Sequence, residues 1–222
     1  MIRLEQVSKS FTFKGRTHHV VRDVSFTIPR GRSVGLIGRN GAGKSTLLRL
    51  IAGITAPDRG QIIKTASVSW PLGFAGSFHG ALTGEQNVRF VARIYGKDTG
   101  ELVSYVEDFA ELGHHFRRPV GGYSSGMKAR LAFGVSMGIA FDYYLIDEVT
   151  AVGDANFKKK CSRVFEEKLQ ESDIVMVSHS PGTMRQFCDA GVLLEDGKLT
   201  FYEDIEEALD IHQSNLAERT RI

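Results

Sequence analysis

Gly38-Arg39-Asn40-Gly41-Ala42-Gly43-Lys44-Ser45-Thr46 follows directly on the apolar run Val34-Gly35-Leu36-Ile37. The nonapeptide fits G-x-x-x-x-G-K-[ST], with the flanks that pattern requires: a strand before it and a helix, about Lys44 to Ala52, after it. Its glycines let the chain curl until backbone N–H groups converge on phosphate oxygens. The helix points its positive end at the same place. Lys44 adds a cation for β- and γ-phosphates, and Ser45 a hydroxyl for Mg²⁺. Gly38, Asn40, Gly41, Ala42, Gly43, Lys44, Ser45 and Thr46 are therefore the expected phosphate contacts.

Working outward, the chain has 222 residues, 42% of them apolar, enough for one large α/β domain. Its 28 basic and 26 acidic residues nearly cancel, so the charge balance argues for no nucleic-acid partner. Cys161 and Cys188 lack metal spacing and read as reduced thiols of a cytosolic protein. The N-terminus has no signal-peptide pattern, and no apolar run approaches the ~18 residues that span a bilayer. A membrane role is expected only through a partner.

Upstream of the loop, Lys14-Gly15-Arg16 reads as a hairpin turn, Val24 to Ile28 as a strand, and Pro29-Arg30-Gly31 as a turn. Downstream, Leu47, Leu48 and Ile51 form an apolar stripe that Gly53 ends. Trp70 to Gly84 shows no period and reads as a long loop. Thr83-Gly84-Glu85-Gln86 has the spacing of a capping box. A helix to about Tyr95, another over about Thr99 to Leu112 and a third opening at Ser124-Ser125-Gly126 predict an inserted helical subdomain, about 84–140. Then come a strand (Tyr143 to Ile146), a helix (Phe157 to Gln170), a strand (Ile174 to Val177) and a helix from near Pro181. A hairpin turns at Asp196-Gly197, and Asp204 caps a final helix, about 204–220. Alternating strands and helices imply an α/β fold with a mostly parallel core sheet.

Asp147 and Glu148 end the run Phe141 to Ile146, whose strand delivers Asp147 to the carboxyl edge, where a nucleotide's Mg²⁺ sits. Glu148 is placed to polarise a water toward the γ-phosphate. His179 follows another strand, facing the same crevice, where an imidazole can contact the γ-phosphate. His18, His19, His114 and His115 read as surface residues. Lys158-Lys159-Lys160, Arg117 and Arg118 read as solvated faces, with anionic lipid the alternative.

Tyr123-Ser124-Ser125-Gly126-Met127 lies about 20 residues before Asp147. That order resembles the ATP-binding cassette of ABC transporters over nearly the whole chain, 1–222. The resemblance implies an ABC ATPase with an N-terminal antiparallel β-subdomain, hydrolysing ATP with Mg²⁺. It implies a head-to-tail homodimer in which Ser124, Ser125 and Gly126 contact the γ-phosphate held by the opposite subunit. The family's usual signature is Leu-Ser-Gly-Gly-Gln, and only Ser124 and Gly126 match it. Phe11 stands where the family places its adenine-stacking aromatic, with Phe13 on the same strand face as rival. Ala151-Val152-Gly153-Asp154 occupies the D-loop, with Asp154 matching. The Q-loop glutamine is missing from Trp70 to Leu82, and His79 is a candidate stand-in.

Ser69-Trp70-Pro71, Gly73-Phe74-Ala75-Gly76, Phe141-Asp142-Tyr143-Tyr144 and Asp147 to Asp154 together look like the ATPase subunit of Gram-negative capsular polysaccharide exporters. That resemblance implies a peripheral protein on the cytoplasmic face of the inner membrane, joined to an integral-membrane permease and moving a lipid-linked polymer. Related ATPases export O-antigen or teichoic acid. The chain ends about 20 residues after its last hairpin, which favours the capsule form over O-antigen forms with an added C-terminal domain. A soluble ABC ATPase of another class is the alternative. A P-loop GTPase is disfavoured because [NT]-K-x-D is not found.

Overall fold

The computed structural model describes residues 1–72, 78–147 and 155–220. They divide into two compact units: Met1–Pro71 with Phe141–Val149 and Ser172–Ile222, and Leu72–Ala140 with Thr150–Glu171.

In the first unit, β1 (Ile2–Phe13) and β2 (Arg16–Ile28) form an antiparallel hairpin. Its two turn residues, Lys14 and Gly15, both have positive φ (48° and 74°), which matches the twist of the flanking strands. Next come β3 (Val34–Ile37), α1 (Lys44–Ala52), β4 (Arg59–Lys64) and β5 (Val68–Pro71). β4 pairs with β1, completing a three-stranded sheet ordered β2-β1-β4, the expected N-terminal antiparallel layer.

The second unit holds α2 (Gly84–Ile94), α3 (Thr99–Ala110) and α4 (Ser125–Gly138). The expected capping box opens α2: Gln86 N–H donates to the Thr83 hydroxyl at 3.1 Å, and Thr83 N–H to the Gln86 side chain at 2.9 Å.

The chain then adds β6 (Tyr143–Asp147) to the first unit, α5 (Ala155–Leu169) to the second, and β7 (Asp173–Val177), α6 (Pro181–Phe187), β8 (Ala190–Glu195), β9 (Lys198–Tyr202) and α7 (Ile205–Thr220) to the first. α5 packs in its unit through Phe157, edge-on to Phe109 at 5.5 Å and under Arg130 at 4.1 Å.

The second sheet runs β5-β6-β7-β3-β8-β9, parallel except for β9. Tyr143, Tyr144, Leu145 and Ile146 are all buried, the pattern of a strand covered on both faces. Leu47, Leu48 and Ile51 of α1 enter one core cluster with Leu4, Val21, Leu36, Leu145 and Val175. The stripe read from the sequence is thus the contact that seats the phosphate-loop helix.

Trp70 and Pro71 depart from the expected loop: they complete β5. Pro71 brings no N–H to the ladder and the register shifts between Val68 and Pro71. The fully buried Ser69 hydroxyl accepts from Leu145 N–H at 2.9 Å and donates to Trp70 O at 2.7 Å. Trp70 also packs edge-on to Phe141 at 5.6 Å. Gly73 to Ser77 lie outside the described residues. Among the described residues no helix is long and apolar enough to cross a membrane. Both cysteines are buried, and burial pushes the Cys161 thiol up to about 11 and the Cys188 thiol up to about 12.

Candidate functional site: a nucleotide-binding cavity

A cavity of ≈ 460 Å³ opens in the first unit, lined at one end by Asn40, Gly41, Gly43, Lys44, Ser45 and Thr46. The loop owes its shape to the step from β3 into α1. Gly43 caps the helix at φ 106°, and a Cβ there would lie 2.3 Å from Val20 Cγ1. Only glycine lets β2 approach this closely. Lys44 is 8% exposed, and its ammonium donates to the Gly38 carbonyl at 2.6 Å and the Arg39 carbonyl at 2.9 Å. Those two bonds fold the cation back over the loop's own curl.

Asp147, at the carboxyl end of β6, and His179, two residues beyond β7, line the same cavity. The Ser45 hydroxyl donates to Asp147 Oδ1 at 2.9 Å across 102 residues of sequence. β6, β7 and β3 are successive strands running the same way, so their carboxyl ends emerge together. Their order in the sheet brings the loop, the carboxylate and the imidazole to one place.

The other end is built by the β1–β2 hairpin. Phe11 lines it, with its ring half exposed and Lys9 Nζ 5.3 Å from the ring centroid. Asp58 holds that ammonium at 2.7 Å. Lys9 and the Ser10 amide together keep the Asp58 carboxyl below its ordinary value of 3.8. Phe11 is thus on the cavity as expected, while the Phe13 side chain lies outside the described residues.

His18 is exposed, as the sequence suggests, but it is more than a surface residue: it and Val20 line the cavity, and His18 pairs directly with Phe11 across the hairpin. The signal lay in the turn: two residues, Lys14-Gly15, pair Phe13 with Arg16 and hence Phe11 with His18. Val177 is a third lining residue that sequence reasoning missed.

Other expected residues stand elsewhere. Gly38 serves through its carbonyl. Ala42 lines a neighbouring cavity of ≈ 280 Å³ with Arg39, His19, Glu195 and Asp196. Ser124 caps α4, its hydroxyl accepting from Met127 N–H at 3.2 Å, so Ser124, Ser125 and Gly126 form an exposed helix N-terminus on the helical unit. His79 is exposed on that unit, its backbone pinned by Asn87. Glu148, with the rest of the D-loop segment to Asp154, lies outside the described residues.

One assignment to a solvated face also changes. Lys160 caps the C-terminus of α3, donating to Asp108 O, Phe109 O and the Glu111 carboxylate at 3.2, 3.1 and 2.6 Å. Arg117 stays exposed, as expected, in a surface ion pair with Glu107 at 2.8 Å.

A parallel sheet with a phosphate loop on its central strand, closed by a carboxylate and an imidazole from neighbouring strand ends, defines a P-loop nucleotide-binding cassette. Its relatives agree: a family model for ABC transporter matches residues 21–151, and the chain belongs to that family. It is 50% identical over 213 residues to a polysialic acid transport ATP-binding protein, KpsT, of Escherichia coli, covering 95% of each chain. It is 47% identical to the capsule polysaccharide export ATP-binding protein CtrD of Neisseria meningitidis serogroup B, covering 96% of this chain and 99% of that one. Among solved structures, the ATP-binding cassette MJ0796, dimeric and bound to ADP and Pi, matches with a TM-score of 0.73 at 19% identity, over 91% of this chain and 98% of that chain. At that identity the likeness concerns the fold.

Proposed function

We propose that this chain is the ATP-hydrolysing subunit of an exporter that moves lipid-linked capsular polysaccharide across the inner membrane. The observation that carries the reading is the convergence of Lys44, Ser45, Asp147 and His179 on one cavity. The loop amides and Lys44 bind the β- and γ-phosphates. Ser45 Oγ and Asp147 Oδ1 are hard oxygen donors 2.9 Å apart. Two neighbouring ligands of an octahedral ion with bonds of 2.0–2.1 Å stand about that far apart, so the pair fits Mg²⁺. When bound, the ion neutralises charge on the phosphate oxygens.

Glu148, the residue after Asp147, accepts the proton of the attacking water, and His179 contacts the γ-phosphate and helps fix that water. Ser124, Ser125 and Gly126 complete the site in trans, as the N-terminus of α4 in a second copy arranged head to tail. The partner is an integral-membrane permease, which keeps this subunit peripheral on the cytoplasmic face. Residues 78–83 of the helical unit, with Phe78 and His79, are its contact.

The capsule assignment draws on relatives named for polysialic acid or capsule export at 47–50% identity. O-antigen export proteins of Klebsiella pneumoniae are less similar, at 36–37%. The test is complementation in an encapsulated Gram-negative strain deleted for its own exporter ATPase. Wild-type chain, supplied with its cognate permease, is expected to restore surface capsule, and the Glu148→Gln variant is not. Restoration of O-antigen export but never of capsule would overturn the substrate assignment.

A further inference from the structure

We infer that His18 reads the ribose of the bound nucleotide, a reading that rests on the nucleotide function proposed for this cavity. The cavity has a direction. Its phosphate end is fixed by Gly41 to Thr46, and Val20 presses on that end, within contact of the backbone of Gly43. His18 lies two residues before Val20 on β2; the ladder shifts register between Lys9 and Ser10, opposite Val20, so it is the shared cavity and not strand alternation that sets the two side chains side by side. Directly across the ladder from His18 stands Phe11. Directly opposite side chains on an antiparallel pair start about 4.5–5.5 Å apart at Cβ.

A nucleoside triphosphate is laid out as phosphates, ribose, base. With phosphates at Gly41 to Thr46 and the base on the Phe11 ring, the ribose falls beside Val20 and His18. Val20 offers that sugar only methyl groups. His18 offers both a donor and an acceptor, matching hydroxyls that also do both. Among the described residues, no hydrogen bond of the protein itself engages the His18 ring. Phe11, in contrast, is already backed by the Lys9 ammonium, itself tied to Asp58. The hairpin thus presents two different surfaces: a buttressed ring for a flat base, and an imidazole for a hydroxylated sugar.

The test compares Mg²⁺-ATP, 2′-deoxy-ATP and 3′-deoxy-ATP binding to the purified full-length chain by calorimetry, for wild type, His18→Ala and His18→Gln. Wild type is expected to bind ATP roughly 3- to 10-fold more tightly than at least one deoxy analogue, the size of one neutral hydrogen bond. His18→Ala should weaken ATP to the level of that analogue and leave the analogue's own affinity unchanged. His18→Gln, which can still donate and accept, should recover part of the preference. GTP binding, measured alongside, should fall in His18→Ala by the same factor as ATP, because both carry the same sugar. Equal loss for ATP and both deoxy analogues would overturn the inference, as would a wild type indifferent to the sugar. A selective change between ATP and GTP would move His18 to the base edge and also overturn it. Failure of wild type to bind any of the nucleotides would instead refute the nucleotide reading of the cavity.

Discussion

Asn87→Ala is expected to unfasten the segment proposed to meet the permease while leaving the nucleotide cavity intact. Asn87 is 2% exposed, on the inner face of α2. Its Oδ1 accepts from His79 N–H at 2.9 Å, and its Nδ2 faces the carbonyls of His79, Leu82 and Thr83 at 3.2, 3.3 and 2.9 Å. One amide has only two N–H groups for those three carbonyls. Each carbonyl also has a second donor: Leu82 N–H for His79 O, Val120 N–H for Leu82 O and Asn87's own N–H for Thr83 O. Truncation therefore orphans one group, the His79 N–H, and removes about two further bonds. At about 1 kcal/mol per neutral bond, with a small cavity added, the loss is about 2–4 kcal/mol.

Asn87→Asp sharpens the reasoning. It keeps the acceptor for His79 N–H but turns a carboxylate toward three carbonyls, so at neutral pH it should destabilise more than alanine does. Its carboxyl must then have a raised pKa, so the variant's stability should recover as pH falls through that value, the reverse of an ordinary salt-bridged acid. Hydrogen exchange at amides 79–87 reads the local effect, calorimetry with ATP reads the cavity, and surface capsule reads transport. Expected are faster exchange, unchanged ATP affinity and reduced export. Exchange in Asn87→Ala as slow as in wild type would refute the energetic argument, and ATP affinity falling in step with export would refute the assignment of this segment to coupling.

Glu148→Gln should keep ATP binding and lose roughly 10²–10⁴-fold in turnover, with an ATP-bound dimer accumulating in size-exclusion chromatography. Phe11→Ala should weaken ATP binding by about 1–3 kcal/mol and relax base selectivity, measured by nucleotide competition, with Phe13→Ala doing less; the reverse order moves the stacking role to Phe13. Ser124→Asp keeps a helix cap but sets a negative charge where the opposite subunit's phosphate is proposed to dock, so it should melt near wild type yet fail to dimerise with ATP. Asp142 and Asp58 are both held below 3.8, Asp142 chiefly by Ser67's amide and hydroxyl, Asp58 chiefly by Lys9 and Ser10. Their contributions are whole above about pH 4 and are lost as pH falls through the lowered native values, so Asp142→Asn should flatten the acid limb of a Tm–pH profile.

What could be read from the sequence was local. The phosphate loop, the Thr83–Gln86 capping box and the Asp196-Gly197 turn each depend on residues a few positions apart, and each is where the sequence put it. The readings that changed depend on partners far along the chain. Lys160 looks like one of three solvated lysines until the end of α3, about 50 residues earlier, is set beside it. Trp70-Pro71 looks like a loop because it opens a Gly-rich, aromatic stretch without a period, and what makes it a strand end is Ser69 bonded to Leu145 on another strand. His18 lies between these cases. Its pairing with Phe11 follows from a two-residue turn visible in the sequence, but its importance appears only once β2 is packed on the phosphate loop.

That packing changes what the loop's glycines mean. In the motif they are read as room for phosphate. Yet a Cβ on Gly43 would meet Val20 of β2, and a Cβ on Gly38, at φ 151°, would lie 2.5 Å from the Leu194 carbonyl of β8. Both close approaches are made by the protein itself. β2 carries His18 and pairs with the strand bearing Phe11, while β8 is the direct neighbour of β3. The glycines therefore couple the loop to the two strands that fix its place, and through β2 to the end of the cavity that His18 and Phe11 line. An alanine at either position would push a neighbouring strand away as well as crowd the phosphates. The spacing between the Lys44 ammonium and the Phe11 ring, which the proposed nucleotide would span, is in this way set by the same loop residues that are proposed to bind its phosphates.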